Sequence, residues 1–172
     1  KVMTFDAGAR WLTSTWIPND AASRDAIVAE LGSVLLEGST NFGAALRLLA
    51  APTADLAGVP AADVFVLSDG AISWGDTSAE NLVGEFTKNA PFAARFFAYR
   101  TGLGAENLEL YSALTRRGAI FNCFSMDSVA ACGSAHQATG ATLTQVSIDA
   151  ADGSGPAVDD LLVAGRQAML FP

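Results

Sequence analysis

The chain has 172 residues, 51% of them hydrophobic and 16% charged, which excludes an intrinsically disordered polymer. A chain of this length can bury roughly 70% of its unfolded surface, so it needs no metal or disulfide staple to fold. Acidic residues outnumber basic ones 18 to 10, a net charge of −8 that argues against nucleic-acid binding and against docking on an anionic membrane.

No apolar run approaches the roughly 20 residues of a membrane span. The opening Lys1-Val2-Met3-Thr4-Phe5-Asp6 has no apolar stretch of signal-peptide length and no initiator Met, so we expect a fragment or a processed form. In chain order, Val2 to Phe5 and Arg10 to Ile17 read as two strands joined at Asp6-Ala7-Gly8, an antiparallel hairpin. A helix is predicted from Ala21 to Leu36, with Ile27, Leu31, Val34 and Leu35 forming a stripe that should face a core. A short helix follows from Phe42 to Leu49, stopped by Pro52. Val64-Phe65-Val66-Leu67 is apolar at every position, the pattern of a central strand covered on both faces.

Thr77-Ser78-Ala79-Glu80 reads as a capping box opening a helix through Phe86. Arg95 to Tyr99 is the next strand. Leu108, Tyr111 and Leu114 mark a helix from Ala105 to Arg117, with Gly118 expected as its left-handed cap. Ala119 to Phe124 is a strand and Ser128 to Ala138 a helix. After Gly140 the pattern turns β-rich: Val146 and Ile148 alternate with polar residues, Asp152-Gly153-Ser154-Gly155-Pro156 is a turn cluster, and Leu161 to Phe171 is apolar. The reading is an α/β fold, residues 1–140, with a β-rich extension or the start of a β module over 141–172.

Two segments stand out chemically. Gly38-Ser39-Thr40-Asn41-Phe42-Gly43 is a glycine-flanked hydroxyl loop entering a helix, and Val66-Leu67-Ser68-Asp69-Gly70 places a carboxylate at the carboxyl end of a strand. Ligands of open α/β sheets gather at that end, and an Asp with a Thr hydroxyl is an oxygen donor set of the kind Mg²⁺ prefers. The plainer reading is an N-cap and a turn.

Together these segments resemble the von Willebrand factor A (vWA) domain family, whose members carry a Gly-Gly-Thr-Asn-like loop before a helix and a Thr/Ser-Asp-Gly after a central strand. Val2-Met3-Thr4-Phe5-Asp6 with Ala9 looks like the family's second strand. Thr101-Gly102-Leu103-Gly104-Ala105-Glu106-Asn107 is similar to its Gly-x-Gly, and Ala135-His136-Gln137-Ala138-Thr139-Gly140 to its Ala-x-x-Thr-Gly-Gly. The resemblance covers residues 1–140. It implies a Rossmann-like, open and mostly parallel sheet flanked by helices, and a non-catalytic protein-binding or adhesion role. It also implies a metal-ion-dependent adhesion site to which Thr40 and Asp69 would contribute, with Gly38, Ser39, Asn41, Ser68 and Gly70 supporting the loops.

The family's remaining metal ligands come from an Asp-x-Ser-x-Ser motif after its first strand, and this sequence has none. A bound Mg²⁺ or Mn²⁺ is therefore expected only where such a segment is supplied; otherwise no cofactor is expected. Loss of that strand should leave an open edge, filled by an upstream segment of a longer parent or by a domain-swapped copy. The implied partner is a protein offering an acidic side chain, and relatives of this kind are often exported. The alternative is a metal-independent structural or assembly domain.

Three other features have weaker claims. Gly102-x-Gly104 lacks the third glycine of a dinucleotide fingerprint. Cys132 and His136, four apart on a helix with Val129 on the same face, could form a nucleophile pair, but no third orienting group is visible. Cys123 and Cys132 could form one disulfide or stay as two buried thiols. Trp11 and Trp16 are expected in the core, and Asp159-Asp160 in a solvated turn.

Overall fold

The computed structural model describes residues 1–35, 38–101, 107–137, 141–143 and 168–170. In chain order the elements are β1 (Met3–Phe5), β2 (Ala9–Trp11), α1 (Ala21–Leu31), α2 (Phe42–Ala50), β3 (Ala61–Ser68) and α3 (Ala79–Asn89). They continue with β4 (Ala93–Arg100), α4 (Leu108–Leu114), β5 (Ala119–Asn122), α5 (Met126–Gln137), β6 (Ala141–Leu143) and β7 (Ala168–Leu170). The fold is mixed α/β, built on a three-stranded parallel sheet in the order β3-β4-β5 and flanked by helices. β1 and β2 form the expected antiparallel hairpin, with Met3 opposite Trp11, and make a separate two-stranded sheet, but β2 stops at Trp11 and does not run on to Ile17. Of the β-rich extension, the described part is the antiparallel pair β6–β7; Val146, Ile148, the 152–156 turn and Asp159-Asp160 lie outside the described residues.

β3 and β4 pair from Ala61 opposite Ala93 to Ser68 opposite Arg100, and strand alternation sorts their side chains onto two faces. On one face Ala62, Val64, Val66, Ala94, Phe96 and Ala98 meet Phe42, Leu46 and Leu49 of α2, Leu82 and Phe86 of α3, and Leu110, Tyr111 and Leu114 of α4. Met3, Phe5 and Trp11 of the hairpin close this core, with Phe5 edge-on to Phe42 at 5.5 Å and Phe86 edge-on to Phe96 at 5.4 Å. Such ring pairs add about 0.5–1.5 kcal/mol each beyond their area. Trp11 thus packs as expected, but Trp16 is exposed, its indole N–H donating to the Asp55 carbonyl at 3.2 Å.

The opposite face is thinner. Its buried cluster is Phe97, Ala119, Phe121, Cys123 and Cys132, with Tyr99 packed against it. Here the structure corrects two expectations. Among the described residues β3 is the outer strand of its sheet, and Phe65 and Leu67 are 51% and 66% exposed, with only the His136 ring laid against Phe65. Helix α1 does form, capped by Asp20, whose carboxylate accepts the Ser23 N–H at 2.8 Å. It ends at Leu31, however, and none of its residues is buried, so the Ile27–Leu31 stripe faces no core.

Two termini also differ. The α3 cap is Ser78, not Thr77: its hydroxyl accepts the Asn81 N–H at 3.3 Å, and the Ser78 N–H goes to Asp76 rather than to Glu80, so the reciprocal box does not form. Gly118, with φ −139°, is not a left-handed cap. Its role is close approach: a Cβ there would overlap the Phe96 carbonyl oxygen on the neighbouring strand.

The two glycines Gly84 and Gly118 should respond oppositely to alanine. Gly84 is exposed inside α3 with open space around its Cβ position, so Gly84→Ala should add about 0.5–1 kcal/mol to the unfolding free energy. Gly118→Ala should remove more than about 2 kcal/mol, because backbone must shift. Urea denaturation of both variants checks the pair.

At the start of the sheet Arg95 grips Asp63 with two hydrogen bonds of 2.8 Å, across directly opposed positions. The guanidinium holds the Asp63 carboxyl below its usual range. A depressed folded-state value means the stabilisation is present above about pH 4 and lost as pH falls through that lower value. The pair is half-exposed, so its share should stay below about 1 kcal/mol. Asp63→Asn should flatten the decline in stability between pH 5 and 2 by about that amount, measured by urea titration at each pH.

Candidate functional site

Four loops meet at the carboxyl end of β3. Asn41 organises the first contact: its backbone N–H donates to the Asp6 carbonyl at 2.7 Å and its amide nitrogen to Ala7 at 3.2 Å. Its Oδ1 caps α2 by accepting the Ala44 N–H at 3.0 Å. Asn41, not Thr40, is therefore the N-cap. Thr40 is held by its backbone instead: its N–H donates to Ser73 Oγ at 2.8 Å, and its carbonyl accepts the N–H groups of Ser73 and Trp74, each at 3.2 Å.

Asp69 opens the loop that reaches Thr40. Its Oδ1 accepts the Ala71 N–H at 3.1 Å, a local turn across Gly70. Gly70 has φ +78°, and a Cβ there would lie 2.5 Å from Tyr111 Cε2, so both conformation and space require glycine. The Ser68 hydroxyl accepts the Gly70 N–H at 3.1 Å, and the Tyr111 hydroxyl donates to the Ser68 carbonyl at 3.1 Å. Gly70 in turn accepts the Asn107 N–H at 3.1 Å, and the Asn107 side chain donates to Thr77 and caps α4. Further along, Gly75 (φ +84°) lets the loop pass Asn41, with its Cβ position 2.9 Å from Asn41 Oδ1.

Thr40 and Asp69 are thus brought to one loop cluster, with Asn41, Ser68 and Gly70 as structural supports. Gly38 and Ser39 make no hydrogen bond among the described residues, and Gly38 has open space where a Cβ would stand. Residues 102–106 and 138–140, which carry two of the glycine motifs, lie outside the described residues. Sequence reasoning missed two residues here. Ser73 is the hydroxyl that clamps Thr40, and Trp74 is 62% exposed on the same loop. A large aromatic among Gly, Ser and Asp at the end of a buried strand was the available signal.

A divalent cation is poorly served by what is present. Mg²⁺ demands near-octahedral oxygen coordination, and of the two side chains expected as ligands, Thr40 and Asp69, the Asp69 carboxylate is already engaged on one oxygen by Ala71. No group of three or more His, Cys, Asp or Glu converges among the described residues. Thr40 and Asp69 alone do not complete the shell of a resident Mg²⁺ or Mn²⁺, and no further ligand cluster joins them among the described residues.

The other candidates separate. Cys132 Sγ lies 2.7 Å from Cys123 Sγ and 3.4 Å from the Asn122 carbonyl oxygen. His136 points elsewhere, its ring 4.6 Å from that of Phe97 and 5.1 Å from Phe65, with Nδ1 lacking a hydrogen-bond partner among the described residues. No hydrogen bond joins Cys132 to His136 among those residues, so the structure does not assemble a nucleophile pair. A cleft of ≈ 280 Å³ between α2 and α3, crossed by Arg47 and Glu85 at 3.8 Å, is lined by neither Thr40 nor Asp69.

Asn41→Ala should cost about 1–2 kcal/mol, since it removes a cap and a tie to the 6–8 turn together. Asn41→Asp should restore the cap but not the donor to Ala7, and recover about half. Thermal unfolding by circular dichroism checks both.

No family model and no curated protein matches the chain. Among solved structures it is similar to the crystal structure of an uncharacterized membrane-spanning protein from Vibrio fischeri, 19% identical over 77% of this chain and 71% of that one. The TM-score of 0.35 makes this too loose a likeness to carry an argument. In this chain, no helix among the described residues is long and apolar enough to cross a membrane.

Proposed function

We propose that the chain is a non-catalytic protein-binding module of the vWA-like kind, engaging its partner with the loop face at the carboxyl end of β3. The observation that carries this reading is Trp74. It is largely exposed, yet its loop is fastened to Thr40 by three hydrogen bonds and opened by Asp69. A rigidly mounted tryptophan beside fixed polar groups is the usual composition of an interface hot spot. Among the described residues no strand pairs with the outer edge of β3, where Phe65 and Leu67 are exposed; this also supports the reading, because in a vWA-like sheet that edge is where the family's first strand would lie.

Cation dependence belongs to the part of the site that this sequence lacks. A chain of net charge −8 repels an acidic partner side chain unless a cation stands between them. The chain alone therefore binds through Trp74 and its polar neighbours. The adhesion-type, metal-bridged form requires an Asp-x-Ser-x-Ser segment supplied from elsewhere. The metal-independent structural or assembly role is the second reading, favoured by the engagement of Asp69 and Asn41 in a local turn and a cap.

With the immobilised chain and partners recovered from its source by crosslinking, Trp74→Ala, Asp69→Ala and Thr40→Ala should each lower capture at least tenfold while leaving helix content unchanged. Equal capture by all three variants sinks the proposed face. EDTA should leave wild-type capture within twofold. A tenfold loss in EDTA would instead show a resident cation that the described residues do not explain.

A further inference from the structure

Helix α5 is anchored to the sheet in an unusual way. Among its described side chains only Cys132 is buried; Ser128 and His136, one turn to either side, are half-buried, and Val129 is half-exposed. The stripe facing the sheet is therefore Ser-Cys-His, not the leucines and aromatic rings that hold α2 and α4. Each leucine buried elsewhere contributes about 1.5–3 kcal/mol, and α5 has no equivalent among these residues. Its N-terminus is fixed only locally, Ser125 and Ser128 exchanging hydrogen bonds across the first turn. What faces Cys132 across the interface is Cys123, one residue past the end of β5, buried, unbridged and 2.7 Å away sulfur to sulfur.

We propose that Cys123 and Cys132 are a disulfide-forming pair whose oxidation staples α5 to the end of β5. The two sulfurs are already in contact across an interface where the His136 ring, set against Phe97, Phe65, Phe121 and Tyr99, is the other described anchor of α5. Closing the ring restricts the unfolded chain and replaces the apolar anchorage that the helix lacks. The oxidant is a small-molecule or protein disulfide. One cysteine thiolate attacks it, forming a mixed disulfide and releasing one thiol. The second thiolate attacks the protein sulfur of that mixed disulfide, forming the Cys123–Cys132 bond and releasing the other thiol. The two protein thiols give up two electrons and two protons, and one external disulfide becomes two thiols. Burial, reinforced by Cys132, pushes the Cys123 thiol up to about 11. Exchange should therefore be slow in the folded chain and fast when α5 opens.

The test uses the whole chain with oxidised and reduced glutathione as the redox pair. Oxidised glutathione should lower the intact mass by two hydrogens, and peptide mapping should join the 123 and 132 peptides. The melting temperature should rise by roughly 5–10 °C, reversed by excess reduced glutathione. Dilute urea should speed the reaction. Cys132→Ser should show no mass loss and no gain in melting temperature. Because that variant could detach α5, the glutathione titration of the unmutated chain stands as the independent measurement. Retention of two alkylatable thiols after oxidation in dilute urea, stable addition of two glutathiones, or a bridge that leaves the melting temperature unchanged would each overturn the proposal.

Discussion

The parallel pairing of β3 with β4 is the constraint on which the remaining structure rests. Eight opposed positions fix which side chains face α2, α3 and α4 and which face α5. A slip of one residue would exchange Val64 and Val66 for Phe65 and Leu67 on every contact. The same pairing sets where the strand stops. Ser68 closes β3, its carbonyl receives Thr101 and Tyr111, and the chain must turn at Asp69-Gly70. The loop face at the carboxyl end is therefore a consequence of sheet register, not an appendage to it.

The two faces of that sheet are built to different standards. One buries three helices and a hairpin with interlocking rings, while the other relies on a stacked row of aromatics, Phe65 on Phe97 at 5.5 Å and Tyr99 on Phe121 at 5.0 Å, with His136 laid against it. Stacked rings supply area but little coverage at the edge, so Phe65 and Leu67 stay half in water. The all-apolar run Val64–Leu67 placed at the outer edge of the described sheet is a mismatch between local pattern and surroundings. It marks the one side of the domain on which the described residues do not complete a core.

Much of the architecture was legible in the sequence because periodicity reports burial directly. The hairpin turn at Asp6-Ala7-Gly8, the Tyr111–Leu114 part of the α4 stripe and the strand ending in Ser68-Asp69-Gly70 all stand where pattern places them, although Leu108 is exposed and Leu110 is buried in its stead. What failed was any inference that needed a neighbour. The stripe Ile27–Leu31 announces an amphipathic helix but cannot announce that no described element buries it. Val64 to Leu67 announces a buried strand but not its place in the sheet order. The site was half legible: Thr40 and Asp69 were visible as a loop and a turn, whereas Ser73 and Trp74 acquire meaning only when Ser73 reaches across 33 residues to Thr40. Gly118 was read for conformation and turned out to serve proximity, a distinction no single sequence carries.

The capping and turn geometry at this face also bears on how Thr40 and Asp69 should be regarded. Asn41 and the Asp69 turn are satisfied by local hydrogen bonds, so neither needs a ligand to explain its presence. Trp74 is different: among the described residues no hydrogen bond or ring contact engages its indole, the backbone N–H ties the loop, and the side chain is largely exposed at a cost in apolar area. Residues explained by their own neighbourhood are weak witnesses to function, and the residue left over is the stronger one. On that reasoning the centre of the proposed interface is the tryptophan, with the hydroxyl and the carboxylate as the frame that fixes its position.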